Sequence, residues 1–276
     1  MGNNGKLSFL VILLFLISSL NIIAQEKGSS SVNETQYEKE HLEFSHPLIT
    51  ESISPDTKIR FTLLDTKADS NRLSQTYGLE LEYSPFPIFS IHLGIPYTVL
   101  HQSQNNTVKN LDEIELALKF ANFAFSNHNV LLGYGISFGL PTGNQDKGIG
   151  SNHILDISPF FNGGIKWKRW EWTAYFTFDI PCNQNENENI QSTLESRLTA
   201  LYNISPKWQA LLEAGSTSPI SRFYKGDSNY DLTEGVKFMP VSDKPWILAI
   251  GVRHPVLNNN EFKLQGIFSV FYHFKD

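Results

Sequence analysis

The stretch Trp170-Glu171-Trp172-Thr173-Ala174-Tyr175-Phe176-Thr177-Phe178-Asp179-Ile180 decides the fold class. Trp170, Trp172, Ala174, Phe176, Phe178 and Ile180 share one face of an extended chain. Glu171, Thr173, Tyr175, Thr177 and Asp179 share the other. A period of two belongs to a β-strand, whose successive side chains point to opposite faces. The run is also as long as a tilted strand needs to be to cross a bilayer.

The same alternation recurs on both sides of it. Ile59, Phe61 and Leu63 oppose Lys58, Arg60 and Thr62, and Tyr77, Leu79, Leu81 and Tyr83 oppose Gly78, Glu80, Glu82 and Ser84. Comparable runs begin at Phe89, Glu113, Leu132, His153, Leu194, Trp208, Leu232, Trp246 and Phe262. The pattern predicts an all-β protein, an antiparallel up-and-down transmembrane β-barrel of about twelve strands, from residue 57 to 276. A soluble two-sheet sandwich is the rival. About a dozen strands would enclose too wide a space for an apolar soluble core, since eight already make a just-filled interior.

The connections support the barrel. Ser84–Ile88, Asn122–His128, Gly164–Trp167, Asn203–Pro206 and Pro240–Pro245 are short. His101–Asn110, Pro141–Asn152, Pro181–Asn189 and Gly215–Asn229 are longer and rich in Asn, Gln, Gly and Ser. Short turns at one end and long loops at the other are the habit of outer-membrane barrels, whose long loops face outward from the cell. Aromatic residues gather where the short turns are expected: Phe86, Phe125, Trp167, Trp170, Trp208, Trp246, Tyr272 and Phe274. Rings with one apolar body and one polar edge favour the headgroup layer, so these positions read as a girdle.

Composition agrees. Of 276 residues, 41% are apolar and only 18% charged, which excludes a disordered chain. Aromatics reach 13%, suiting a protein that meets lipid. With 22 Lys and Arg against 28 Asp and Glu, a nucleic-acid partner is not expected. A single cysteine, Cys182, excludes an internal disulfide.

The N-terminal part reads differently. Lys6 precedes an apolar run from Leu7 to Leu20, and Ala24 is a small residue placed for cleavage. Residues 1–24 are therefore expected to be a cleaved signal peptide. Residues 25–56 are expected to be a flexible segment or a plug. The cell outer membrane of a Gram-negative-type bacterium is the expected location. Outer-membrane lipid, a barrel-assembly machinery and a small-molecule solute are the expected partners.

Catalytic and metal motifs are not found in the sequence. Gly143–Gly150 (GNQDKGIG) looks like a phosphate loop, but Ile149 stands where lysine should follow Gly148, so it reads as a flexible external loop. The eight histidines form no close ligand pair, so no metal and no cofactor are expected. The chain is not expected to be an enzyme.

Function is expected on the polar faces. If these surround the lumen, its lining includes the acids Glu80, Glu82, Glu113, Glu115, Glu171, Asp179, Glu195 and Glu213. Opposite them stand Lys58, Arg60, Lys119, Arg197, Lys237, Arg253 and Lys263. Mixed signs can pair across strands, either bracing a closed interior or lining a narrow pore.

Four stretches resemble the transporter-like outer-membrane family named for the MetA pathway of phenol degradation. They are His46–Ser52 with Ser54–Lys58, Asp112–Leu116 with Leu118–Phe120, Gly139–Gly143, and Gly251–Pro255. The resemblance covers most of residues 46–276. It implies a passive transporter, and its name suggests a hydrophobic or aromatic solute. The function expected from the sequence is thus a passive channel for a small solute. A sealed structural or surface-recognition barrel is the alternative, with a lipid-modifying barrel enzyme behind it.

Overall fold

The computed structural model describes residues 42–68, 72–103, 106–184, 190–220, 228–240, 245–257 and 262–274. The expected signal peptide and the first part of the expected plug lie outside the described residues.

Thirteen strands follow one another: β1 (Lys58–Lys67), β2 (Leu73–Phe86), β3 (Phe89–Ser103), β4 (Asn106–Leu111), β5 (Ile114–Asn122), β6 (Val130–Leu140), β7 (Leu155–Trp167), β8 (Trp170–Cys182), β9 (Thr193–Ser205), β10 (Trp208–Pro219), β11 (Asn229–Phe238), β12 (Trp246–Leu257) and β13 (Leu264–His273). All pairings are antiparallel. The sheet closes where β1 meets β13, with Lys58 opposite His273 and Lys67 opposite Leu264. Closure leaves no open edge among the spanning strands, which a sheet in hydrocarbon requires.

The barrel has twelve staves, because β4 and β5 share one. Tyr97 of β3 pairs with Leu111 of β4, and Gly94 of β3 pairs with Glu115 of β5. Three steps on β3 thus face four on its partner, so the stave carries an extra residue and bends at Asp112-Glu113. Two expectations change here. The long loop expected at His101–Asn110 is largely a paired extension of the β3–β4 hairpin, since its alternating Thr107, Lys109 and Leu111 continue the ladder. The loop expected to be flexible at Gly143–Gly150 is an ordered turn. Asn144 bridges Ile149, and the Asn144 side chain caps the Lys147 N–H at 3.1 Å. Gly150 has φ 58°, and a Cβ there would lie 2.4 Å from the Asp112 carboxylate. Thr142 and Ser151 then tie this turn to the bend: the Thr142 hydroxyl donates to the Asp112 carbonyl at 2.7 Å, and the Ser151 N–H donates to Glu113 at 2.7 Å.

Side-chain polarity is sorted by face. On β1, Lys58, Arg60 and Thr62 are buried, while Ile59 and Phe61 are exposed. On β12, Ala249 is buried while Trp246, Leu248, Ile250 and Val252 are exposed. Such a surface would be unstable against water over this extent and is the one a lipid-facing barrel presents. At the short-turn end, aromatic rings meet neighbour to neighbour: Phe89 with Phe120, Phe120 with Tyr134, Trp170 with Tyr202, Trp208 with Phe238, and Trp246 with Tyr272. The pairing follows from the register, which sets each ring opposite the next across the ladder.

The outward apolar face gives a depth-dependent expectation. Ile250→Arg, at mid-strand, should lower folding stability in lipid vesicles by about 2–4 kcal/mol, whereas Leu257→Arg, at the strand end, should cost about 0–1 kcal/mol. Urea titration of the refolded barrel measures both, and equal costs would contradict the assigned membrane depth.

Candidate functional site

Residues 42–57 form no helix or strand. Their main-chain groups therefore need partners if removed from water. They are removed from water: Phe44, His46, Leu48, Ile53 and Ser54 are each at most 5% exposed. The inner wall supplies the partners.

Glu171 on β8 accepts the Ser45 N–H at 2.8 Å and the Ser45 hydroxyl at 3.1 Å. Glu213 on β10 accepts the Leu48 and Ile49 N–H groups at 2.6 and 3.3 Å. Lys237 donates to the His46 carbonyl and Arg60 to the Leu48 carbonyl. Glu82 accepts the Asp56 N–H at 3.2 Å and also pairs with Lys58 at 2.7 Å and Lys119 at 2.5 Å. Lys119 lies 3.6 Å from Glu51. Gln209 donates to the Ser45 hydroxyl at 3.0 Å.

Three apolar side chains of the segment fill hollows in the wall. Leu48 packs with Leu201, Leu211, Ala249, Ile267 and Phe271, while Phe44 and Ile53 pack with Ala121 and Leu131. The hollows exist because glycines line them. A Cβ on Gly251 would stand 2.5 Å from Leu48, and one on Gly164 would stand 2.5 Å from Ile53.

His46 locks the segment near the short-turn end. Lys58 Nζ is only a donor, so His46 Nδ1 accepts from it, at 2.9 Å, and His46 Nε2 carries the proton donated to Asp56 at 3.2 Å. Asp56 also accepts from His273 Nδ1. Burial, reinforced by the Lys58 ammonium, holds the His46 pKa well below 6.5. Burial alone would raise the Asp56 carboxyl, but the bonds from His273 and His46 outweigh it and keep the group ionised far below the usual carboxylate range.

Beyond the segment, toward the long loops, lies a cavity of about 260 Å³. Glu51, Glu80, Glu113, Glu115 and Glu195 line it, together with Arg60, His92 and Tyr175. On another part of the wall, Arg197 and Arg253 both grip Asp231, at 2.8 Å each, and Arg197 also holds Glu195 at 2.6 Å.

The sequence candidates thus fall into groups. Lys58, Arg60, Glu82, Lys119, Glu171, Glu213 and Lys237 are buried and touch the segment. Glu80, Glu113, Glu115 and Glu195 border the cavity. Arg197 and Arg253 form the Asp231 clamp. Asp179 is half-buried and accepts the Thr193 hydroxyl at 3.0 Å. Lys263 is the exception: it precedes β13 and is exposed, because the last strand begins at Leu264 and not at Phe262.

The strand alternation also held signals that the list of charged candidates passes over. His92 and His273 lie on polar faces of their runs, and Asp231 sits one residue before the run starting at Leu232. Glu51, His46 and Asp56 gave no such signal, since their segment has no period.

No family model matches the chain, and no curated protein matches it. Several solved structures share its fold. The COG4313 outer membrane channel from Pseudomonas putida F1 aligns over 84% of this chain and 100% of its own, at 11% identity with a TM-score of 0.65. The KdgM porin aligns over 79% of this chain and 99% of its own, at 9% identity with a TM-score of 0.53. The NanC porin covers 80% and 100%, at 8% identity with a TM-score of 0.53. At these identities the likeness is one of fold: a closed, antiparallel, twelve-stave barrel of the outer-membrane kind.

The His46 contacts set the sign of a pH effect. The unfolded segment takes up a proton on His46 below about pH 6.5, and the docked one does not, so docking weakens as pH falls below that value. Hydrogen exchange of the Leu48 and Ile49 amides, corrected for intrinsic rates, should show protection falling between about pH 6.5 and 5. His46→Gln, which cannot charge, should give a flat profile across that interval. A wild-type profile equally flat would show that His46 does not control docking.

Proposed function

We propose that the protein is an outer-membrane barrel that passes a small solute passively, with residues 42–57 acting as a plug inside its lumen. The observation that carries this reading is the sorting of the barrel wall: apolar outside, charged inside, with the inner charges spent on an irregular segment and not on a solid core. A sealed scaffold could be braced by strand-to-strand ion pairs alone. Here Glu171 and Glu213 bond main-chain groups of the segment, which can leave and be replaced by water. The fold likeness to a channel and two porins supports the reading, as does the absence from the sequence of any energy-coupling motif. The same features favour a channel over a lipid-modifying enzyme.

The cavity favours a small polar solute of positive charge over the hydrophobic or aromatic one that the family resemblance suggests. Five carboxylates border it, against Arg60 and His92. Rings of acidic side chains select cations in narrow pores. The outward girdle and the exposed apolar staves support residence in the outer membrane, with the N-terminal leader directing export.

Planar-bilayer recording tests this. The wild-type barrel should show low conductance, and Leu48→Ala with Ile53→Ala should raise it severalfold by loosening the plug, each truncation costing about 2–5 kcal/mol of packing. Reversal potentials should show cation preference, reduced in Glu80→Gln with Glu115→Gln. If neither the wild type nor the loosened variant conducts, the channel reading falls and the sealed barrel stands.

A further inference from the structure

Where the segment meets the cavity, Glu51 comes within reach of Glu80 on β2 and His92 on β3. One ligand-capable atom from each lies within 4.8 Å of the other two. His92 is only 3% exposed, and neither of its ring nitrogens has a hydrogen-bond partner. Its nearest ionic neighbour, Glu80, is 3.9 Å away. A buried imidazole with two idle nitrogens is costly, and such a group calls for an occupant.

The nearby cations do not fill that role. Arg60 stands 3.4 Å from Glu80 but spends its other terminal nitrogen on the Leu48 carbonyl. Lys119 stands 3.6 Å from Glu51 but is far closer to Glu82, at 2.5 Å. Glu51 and Glu80 are thus held loosely, and both open onto the cavity, which has room for water.

The second cluster of this kind, His46, Asp56 and His273, is different. Both nitrogens of His46 are engaged, one by Lys58 and one by Asp56, so that ring has no lone pair to offer.

We propose that Glu51, Glu80 and His92 form a binding site for a divalent transition-metal ion of the zinc type, joining the luminal segment to the barrel wall. One imidazole nitrogen and two carboxylate oxygens are a donor set that zinc accepts, leaving a position open to water from the cavity. Ligand atoms around such an ion stand closer than 4.8 Å, so small side-chain rotations complete the site. Because one ligand comes from the segment and two from the wall, the bound ion would hold the segment in place. The site depends on that packing and not on whether the barrel conducts.

The test uses the full mature chain, folded in detergent and freed of metal with a chelator. Calorimetric titration with Zn²⁺ should show one saturable site per chain. Glu51→Gln and His92→Gln should each weaken binding at least tenfold, while His128→Gln, in an exposed turn, should leave it unchanged. Co²⁺ should give visible absorption bands in the wild type that are lost in His92→Gln. Heat-modifiable gel mobility checks that each variant is folded. Should His92→Gln fail to fold, Glu51→Gln, which alters the segment and no strand, decides the matter by the same two readouts. No saturable Zn²⁺ binding in the wild type would overturn the proposal, as would binding of wild-type strength in folded Glu51→Gln.

Discussion

An irregular segment and a ring of buried charges each lack something the other has, and the interior of this barrel depends on that exchange. Residues 42–57 cannot satisfy their own N–H and C=O groups, because they form no helix or strand. The inner wall carries carboxylates, ammonium groups and a guanidinium out of bulk water, where an unpaired charge costs several kcal/mol. Glu171 and Glu213 take N–H groups from the segment, and Lys237 and Arg60 take carbonyls. Removing the segment would leave both sets to water.

Packing fixes where the segment sits. The charged contacts are numerous but could be made in more than one register. Leu48, Phe44 and Ile53 are not so permissive, since each needs a hollow of its own size. Gly251 and Gly235 open the wall to Leu48, where a Cβ would stand 2.5 and 2.6 Å from it, and Gly164 opens it to Ile53 and Phe44, at 2.5 and 2.7 Å. The apolar anchors set the position, and the charges complete it.

The lumen is uneven beyond the segment. One side presents the carboxylates around the cavity, of which Glu195 is held closely by Arg197, at 2.6 Å, and Glu80 and Glu51 more loosely by Arg60 and Lys119, at 3.4 and 3.6 Å. The other neutralises its charge internally, with Asp231 held between Arg197 and Arg253. Glu51 and His92 meet on the acidic side, where the segment borders the cavity.

The alternating runs, above all Trp170–Ile180, determined the strands, their faces and the closed antiparallel sheet, because a period of two is a local property that needs no knowledge of neighbours. The charged candidates on those runs followed from the same parity, and Lys263 failed only because a strand end is set by its partner's length. The bend at Asp112-Glu113 required the register against β3, which no single strand contains. The docking of Leu48, the ties of His46 and the meeting of Glu51 with Glu80 and His92 were decided by the tertiary structure alone. A segment without periodicity carries no face, and its partners lie up to 217 residues away in the chain, as His273 does from Asp56.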